Sequence, residues 1–372
     1  MAARLRPAMP VDPASSVKDD LMSETSPAAP PPGPPLRLLQ QIAAYRTSHC
    51  IRTAVELGIP ALLQEAPQTA ADLAERIGGK ADLLARLLDH LVNEEVIDRD
   101  DTGRYLALPA TRALVPGHPH SLVPWVRFEL DPLHGRAWEQ LGEQIKVGTP
   151  AFELAHGSPF FTWLGQDEAA QQRFDIQMRA IATALIGIAV RHIQFSAGET
   201  IVDVGGGDGS LLAEMLSRNP GTTGVLFELP RATEALNPRF VELMQAGRAA
   251  LKHGSFFEEI PPGGDTYVFS RILHDFDDAA AGRILANASA ATKRHERFVI
   301  VDIMVDPARA KPNETSQDLL MMVLMGGRER SAGEFSQLLA ANGFATASVT
   351  PTASPFHILE FSHGPKEAKA PA

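Results

Sequence analysis

The sequence has very little cysteine and no long apolar run. Cys50 is the one cysteine among 372 residues, so an intrachain disulfide is impossible and a cysteine-based metal site is not expected. No apolar run reaches about 18 residues, so no membrane-spanning helix is predicted. The N-terminus is basic but lacks the apolar stretch of a secretory signal. These absences predict an intracellular, cytoplasmic protein that does not partner a membrane.

Basic residues are also in the minority. Lys and Arg number 34 against 45 Asp and Glu, which gives a formal net charge of −11. An acidic protein is a poor non-specific partner for nucleic acid or anionic lipid. Hydrophobic residues make up 44% of the chain, enough for a large core, and the length suits two or three domains.

Composition and periodicity divide the chain into segments of different character. The first contains 9 of the 29 prolines and is predicted to be a disordered extension, and the last is predicted to be a frayed tail. The five predicted segments are the extension (1–35), a winged-helix-like region (36–117), a helical connecting region (118–195), an α/β domain (196–364) and the tail (365–372).

The winged-helix-like region has the pattern of three helices followed by a small hairpin. Apolar residues recur every three or four positions up to Gly58 and Pro60, which are predicted to stop the first helix. Thr69 is the predicted N-cap of the second helix, and Gly78 follows its end. A longer third helix leads to two short strands joined by a turn at Gly103.

The pattern of apolar residues changes after residue 196. The apolar runs TIVDV, TGVLFEL, TYVFSRIL and RFVIVDIM alternate with helical segments. This alternation predicts an α/β fold with a doubly wound, mostly parallel sheet. Such sheets bind ligands at the carboxyl ends of their strands.

The stretch IVDVGGGDGS places glycines between a predicted buried strand and a helix. Side chains are absent where a ligand would approach the backbone and the free N–H groups of a helix N-terminus. The spacing present is Gly205, Gly207 and Gly209; Ser210 stands where a dinucleotide fingerprint needs glycine, which disfavours a nicotinamide dehydrogenase. Glu228 closes the next strand, where a carboxylate can bind ribose hydroxyls. The pattern predicts a nucleotide-type cofactor; the alternative is a tight turn in a non-binding domain.

Five motifs carry a family resemblance. DVGGGDGSLLAEML, FELP, HGSFFEEIP, SRILHDFDD and GGRERSAGEFSQLLAANGF occur in the order and spacing of the S-adenosylmethionine (SAM)-dependent O-methyltransferases. The sequence resembles this family, which includes plant caffeate and isoflavone enzymes and bacterial natural-product enzymes, over residues 36–362. The resemblance implies a Rossmann-like SAM-binding domain. It also implies a homodimer formed through the winged-helix-like region, with residues 118–195 walling the acceptor pocket.

The resemblance also assigns residues to the cofactor SAM. Many family members have Asp at the position of Ser255, whose hydroxyl can make one adenine contact but lacks the charge. The methionine and ribose part of SAM is assigned to Asp203, Gly205, Gly207 and Glu228, with Glu228 on the ribose. The adenine is assigned to Ser255 and Phe256, and the carboxylate end of SAM to Ser270 and Arg271.

A candidate base lies in the motif YVFSRILHDFDD, at the end of a predicted strand. A phenol, with an ordinary pKa of about 10, keeps its proton at neutral pH, and a positioned imidazole of pKa about 6.5 can take it. An isolated histidine is more often structural, but the family carries its catalytic base at the position of His274. Asp302 and Glu329 are the acidic residues that the resemblance assigns to its support.

The other acidic residues of that motif are interpreted differently. Asp275, Asp277 and Asp278 are expected to be solvated caps of the following helix rather than catalytic groups. The acidic cluster has neither an EF-hand nor a zinc pattern, and no metal is expected.

The acceptor pocket is predicted from methionine and aromatic residues. The helix DLLMMVLMGG precedes the Glu329 motif, and methionine adapts to flat, bulky ligands; the alternative for each methionine is ordinary helix packing. The candidate acceptor-binding residues are Phe160, Trp163, Met178, Asp318, Met321, Met322 and Met325. They indicate a small aromatic or polycyclic acceptor with a hydroxyl group, of the secondary-metabolite kind.

Two further functions compete with O-methylation. A DNA-binding regulator would need a basic winged-helix region, but residues 36–116 hold 9 Lys and Arg against 11 Asp and Glu. Some members of the family methylate nitrogen, or use SAM in hydroxylation or decarboxylation. His274 argues against this diverged chemistry.

Overall fold

The computed structural model describes residues 35–118, 120–181, 186–293, 295–306, 308 and 310–364. The predicted extension up to residue 34 and the predicted tail lie outside the described residues. The chain divides into two units, residues 1–44 and 45–372. Helix α1 (Leu36–Ala43) belongs to the first unit, and everything described below belongs to the second.

The second unit begins with four helices and a hairpin. They are α2 (Tyr45–Glu56), α3 (Ile59–Glu65), α4 (Ala70–Ile77), α5 (Ala81–Asn93), β1 (Ile97–Arg99) and β2 (Tyr105–Ala107). Thr69 caps α4 through the N–H of Asp72, and Gly78 follows the helix with φ of 68°, which confirms both predictions. Pro60 does not stop a helix: it lies in the first turn of α3, where its missing N–H costs no hydrogen bond.

The connecting region is mostly helical, as predicted. After a 3₁₀ turn (Pro109–Leu114) come α6 (Val123–Glu129), α7 (Pro132–Glu139), α8 (Leu141–Val147), α9 (Ala151–His156), α10 (Phe160–Leu164), α11 (Glu168–Ile181), α12 (Gly187–Ala189) and a 3₁₀ turn (Val190–His192). In the described part of the chain no helix is long and apolar enough to cross a membrane.

Seven strands form the central sheet. They are β3 (Thr200–Val204), β4 (Thr223–Glu228), β5 (Ala249–His253), β6 (Thr266–Ser270), β7 (Arg297–Ile303), β8 (Phe344–Pro351) and β9 (Phe356–His363). Their order is β5-β4-β3-β6-β7-β9-β8. The first five in this order are parallel, and β9 runs antiparallel to both β7 and β8. The prediction of a mostly parallel sheet is confirmed.

Helices cover both faces of this sheet. They are α13 (Ser210–Arg218), α14 (Pro238–Gln245), α15 (Asp278–Ala290) and α17 (Ala332–Ala341), whereas α16 (Pro312–Met325) packs with the helices of the connecting region. Along β6, Tyr267 and Phe269 pack with the core of α15 and α17, while Val268 packs with the core of α13 and α14. Because successive strand residues point to opposite faces, a strand buried on both sides is a continuous apolar run. Because β3, β4, β6 and β7 are parallel, their carboxyl ends meet at one edge of the sheet.

Candidate active site

A cavity of about 1170 Å³ lies at this edge of the sheet. Residues of α6, α10, α11 and α16 line it opposite the strand ends. Nine of the predicted cofactor-binding and catalytic residues line this cavity: Asp203, Gly205, Gly207, Glu228, Ser255, Phe256, Ser270, Arg271 and His274. Its volume exceeds the usual ~300–1,000 Å³ of a small-molecule site, so it has room for a cofactor and an acceptor together.

The glycine loop follows β3 directly and explains the bare backbone of the sequence motif. Gly205 and Gly207 have φ of 73° and 60°, which side chains rarely adopt. A Cβ on Gly206 would overlap the carboxylate of Asp203 and Leu226. The N–H of Gly207 donates to Glu228 Oε2 at 3.0 Å, so the loop is tied to the end of β4.

Two carboxyl groups line the cavity beside this loop, the buried one of Asp203 and the partly buried one of Glu228. Asp203 is fully buried, and neither of its carboxylate oxygens has a hydrogen-bond partner among the described residues. Burial, with help from the charges of Glu228 and Asp208, raises the pKa of Asp203 to about 7. Burial also raises the pKa of Glu228, against the hydrogen bonds that it accepts from Leu229 and Gly207. Buried acceptors without partners are costly, so this end of the cavity is suited to a ligand that donates hydrogen bonds or carries positive charge.

The remaining predicted cofactor residues surround the same end. Phe256 packs against Phe257 and Phe276 with ring centroids 5.0 and 5.9 Å apart. Ser255 Oγ accepts a hydrogen bond from the N–H of Phe257. The hydroxyl of Ser270 is buried and has no partner within the described chain. An aromatic wall beside unpaired polar atoms suits an adenosine-containing molecule.

His274 lies in a 3₁₀ turn (Leu273–Asp275) immediately after β6 and is 1% exposed. Its Nδ1 is 2.9 Å from Glu329 Oε1 and 3.5 Å from Asp302 Oδ1. Its Nε2 is 3.3 Å from Asp275 Oδ1. A proton held on Nδ1 by Glu329 leaves Nε2 as the acceptor. The structure thus brings the three predicted catalytic residues together, with only His274 lining the cavity.

The segment after α16 holds this cluster in place. The N–H of Glu329 donates to Asp318 Oδ1 at 2.8 Å, and the N–H of Arg328 donates to the carbonyl of His274 at 2.8 Å. A Cβ on Gly327 would overlap the backbone of His274 and Asp275. The backbone of the GGRER motif therefore positions the cluster, in addition to the side chain of Glu329.

Arg330 fixes the histidine turn from the other side and was not predicted as a site residue. It is 1% exposed and donates to the carbonyls of Leu273 and Phe276 at 2.7 and 2.8 Å. It also pairs with Asp278 at 2.8 Å. The sequence offered Arg330 only as the second arginine of GGRER, and its partners could not be inferred because they are distant in sequence.

Burial dominates the electrostatics of the cluster. It raises the pKa of Asp275 to about 6, of Asp302 to about 7 and of Glu329 to about 8. The three carboxyl groups therefore titrate near neutral pH. Ligand atoms of His274, Asp302 and Glu329 lie within 4.8 Å of one another, which would also suit a cation, so the absence of a metal stays a prediction.

Two of the three acidic residues that were expected to cap α15 lie at the start of the helix, and the third does not. Asp277 is the N-cap, with its side chain accepting from the N–H of Ala280, and Asp278 opens the helix. Asp275 is not a solvated cap: it lines the cavity beside His274. Asp275 directly follows His274 and precedes the N-cap Asp277, and this position was the sequence signal that the interpretation missed.

Four of the seven candidate acceptor-binding residues reach the cavity. Phe160, Met178, Met321 and Met325 line the cavity, but Trp163, Asp318 and Met322 do not. Trp163 packs against Phe152 and His156 on the far side of α10. Asp318 instead accepts from the backbone of Glu329, and Met322 packs into the helical core.

The cavity contains polar residues that the sequence did not single out. Gln177 is 1% exposed, and its Oε1 has no hydrogen-bond partner among the described residues. Glu129 ends α6 and faces the cavity, and burial raises its pKa. Neither belongs to a motif; the neighbour Met178 was the only signal for Gln177.

Comparisons with known proteins match this architecture. The O-methyltransferase domain family matches residues 138–345, and the O-methyltransferase dimerisation domain family matches residues 39–117. The mitomycin biosynthesis 6-O-methyltransferase of Streptomyces lavendulae is 37% identical, over 84% of this chain and 90% of its own.

Solved structures agree. A mitomycin 7-O-methyltransferase is 34% identical with a TM-score of 0.80, covering 88% of this chain and 96% of its own. An O-methyltransferase from neocarzinostatin biosynthesis, in complex with SAM and 2-hydroxy-5-methyl naphthoic acid, is 31% identical with a TM-score of 0.73, covering 85% and 96%. The chain belongs to the SAM-dependent O-methyltransferase family, and it is a methyltransferase of the bacterial secondary-metabolite type.

Proposed function

We propose that this enzyme methylates a hydroxyl group of a small aromatic acceptor, with His274 as the general base. The observation that carries the proposal is the placement of His274: Glu329 lies 2.9 Å from its Nδ1, and the ring lines a cavity shared with the glycine loop. A base between a cofactor site and an apolar pocket is what proton removal from a bound hydroxyl requires.

The cofactor end of the cavity fits SAM. Asp203 and Ser270 present buried oxygens without partners, and Glu228 ends β4 where ribose hydroxyls can donate to it. The other proposed contacts are Gly205, Gly207, Ser255, Phe256 and, from the sequence, Arg271. When bound, SAM supplies a methyl group activated on a positively charged sulfur, and the carboxyl groups of this end complement that charge.

The chain's own residues then act on the acceptor. Glu329 and Asp302 lie on the Nδ1 side of His274 and orient its ring, so that Nε2 can take the hydroxyl proton. Asp275, 3.3 Å from Nε2, is placed to hold the same hydroxyl or the transferred proton. Such a base contributes about 10²–10⁴-fold.

The acceptor end is built for a flat ring system. Phe160, Phe161 and Phe174 line it, with ring centroids 5.4 to 6.0 Å apart, and Met178 and Met321 complete the wall. The relative that holds a hydroxynaphthoic acid supports an acceptor of this kind.

We also propose that the protein is a homodimer and that its segments have separate roles. The matched dimerisation domain supports a dimer through residues 36–117, and Tyr45, Leu57 and Leu83 expose apolar surface there. Residues 118–195 would wall the acceptor pocket, and residues 196–364 would bind the cofactor.

The test is calorimetric titration with SAM and S-adenosylhomocysteine, followed by transfer of labelled methyl to phenolic acceptors. Binding of both should weaken at least tenfold in Glu228→Gln, which keeps the side-chain size. S-adenosylhomocysteine should form in step with an O-methylated product. Label on nitrogen, or product without S-adenosylhomocysteine, would favour the diverged chemistries. Folded protein that binds neither compound would refute the proposal.

A further inference from the structure

Gln177 interrupts the apolar face of α11. The residues of this helix that face the core recur every three or four positions: Ala170, Phe174, Gln177 and Ile181. Three of these four are apolar, as the core-facing side of a helix requires. Gln177 is nevertheless 1% exposed and lines the cavity. A polar residue at a core position departs from the pattern that favours folding, and such departures are expected at functional sites.

The amide oxygen of Gln177 lacks the hydrogen bond that other buried glutamines make. Gln144 is buried, and its amide accepts from a backbone N–H at 3.1 Å and donates to a backbone carbonyl at 2.8 Å. The amide oxygen of buried Gln68 accepts from Arg76 at 3.3 Å. Gln177 Oε1 is buried and has no hydrogen-bond partner in the part of the chain that the structure describes. Because folded proteins normally satisfy buried acceptors, a donor is expected from a molecule bound in the cavity.

Helix α11 places this amide at the acceptor end of the cavity. Phe174, one turn before Gln177, packs against Phe160 in the acceptor wall, with ring centroids 5.6 Å apart. The cofactor end has unpaired polar atoms of its own on Asp203 and Ser270, and these residues belong to β3 and β6 rather than to α11. Gln177 is therefore assigned to the acceptor rather than to SAM.

Gln177 and His274 lie on opposite walls of the cavity. His274 follows β6 at the edge of the sheet, whereas α11 lines the cavity opposite the strand ends. A flat acceptor that offers one hydroxyl to His274 presents another edge to Gln177. An amide oxygen can only accept a hydrogen bond, so the group that satisfies it on that edge is an N–H or an O–H.

We propose that Gln177 is a specificity-determining residue, whose amide oxygen accepts a hydrogen bond from a second polar group of the acceptor. That group is a hydroxyl or an amino group on a different edge from the methylated hydroxyl. This rests on the proposed function, because it adds a selection rule to the same site. An acceptor with an apolar group at that edge leaves the amide oxygen unpaired, and a site built around a hydrogen bond rejects such a molecule.

The test uses naphthols that carry a hydroxyl, an amino or a methyl group of similar size on the second ring. Calorimetry measures their binding to the S-adenosylhomocysteine complex of the enzyme and does not depend on turnover. At least one hydroxyl or amino probe should bind more than about fivefold more tightly than its methyl counterpart. Gln177→Leu should abolish or reverse that preference and leave the Kd of SAM within about twofold. Gln177→Glu, which keeps an acceptor oxygen, should retain the preference for the amino probe.

Thermal unfolding of the ligand-free protein gives a readout that needs no acceptor. Gln177→Leu should unfold at a midpoint at least as high as that of wild type, because it removes a buried acceptor without a partner. The matched control is Gln144→Leu, which removes a buried glutamine whose amide is bonded on both sides. That variant should lower the midpoint, because it leaves the two backbone groups unpaired.

Three results would overturn the proposal: no hydroxyl or amino probe preferred by wild type, a preference that survives in Gln177→Leu, or a midpoint that Gln177→Leu lowers as Gln144→Leu does. A Kd for SAM raised more than tenfold with the probe preference intact would also overturn it, by assigning the amide to the cofactor. A preference that depends on Gln177 without any O-methylated product would uphold this inference and refute the proposed function. O-methylation of all probes alike would do the reverse.

Discussion

Replacing Asp302 by asparagine is expected to stabilise the protein at alkaline pH while slowing its reaction. The Asp302 side chain is fully buried, and its oxygens have no hydrogen-bond partner among the described residues. Burial raises the pKa of Asp302 to about 7. Since the folded pKa exceeds the unfolded one, the favourable contribution is complete below about pH 4 and is lost as the pH rises through about 7.

The size of the effect follows from the same shift. Raising the pKa from 3.8 to about 7 corresponds to roughly 4 kcal/mol between the two protonation states. An amide of the same shape avoids the cost of burying that charge. For a chain of 372 residues, roughly 4 kcal/mol is worth about 5 °C in the midpoint of thermal unfolding.

Thermal unfolding of wild type and Asp302→Asn between pH 5 and pH 9 measures the difference. The variant's midpoint should be about 2 °C higher at pH 5, where part of the contribution is already lost, and about 5 °C higher at pH 9. Asp101→Asn, at an exposed turn residue, is the control and should leave the pH profile unchanged. A variant that is less stable than wild type at pH 9 would show that the fold stabilises the ionised carboxylate of Asp302, which contradicts a pKa raised by burial.

Three further predictions follow from the site. His274→Ala should lower kcat by about 10²–10⁴-fold with the Kd of SAM unchanged, and undiminished turnover would remove the histidine from the mechanism. Gly206→Ala should cost about 1–3 kcal/mol of stability and weaken SAM binding, because its Cβ would overlap Asp203 and Leu226. Gly207→Ala, which meets nothing within 4 Å, should cost only backbone strain of about 1–2 kcal/mol, and chemical unfolding compares the two. Methyl transfer after dialysis against EDTA should proceed at the original rate, whereas a loss restored by a divalent cation would place a metal at the His274 cluster.

The sheet and the cofactor loop could be predicted because their signals are local. A strand buried on both faces is a continuous apolar run, and a loop that touches a ligand through its backbone is rich in glycine. His274 was found by its place after such a strand together with the family motif. Glu329 was assigned by the motif alone, and the structure then placed it 2.9 Å from the ring.

The acceptor site depended on tertiary structure. Met321 and Met322 are adjacent on α16, yet only the first reaches the cavity, because neighbouring helix residues point about 100° apart. Sequence spacing does not say which helix face meets which partner. Arg330 binds carbonyls more than fifty residues away, and Glu129 reaches the cavity only because α6 lines it opposite the strand ends. The sequence alone determined the fold and the cofactor class; the packing of the helices over the sheet edge decided which side chains share the cavity, because that contact joins residues with no local pattern between them.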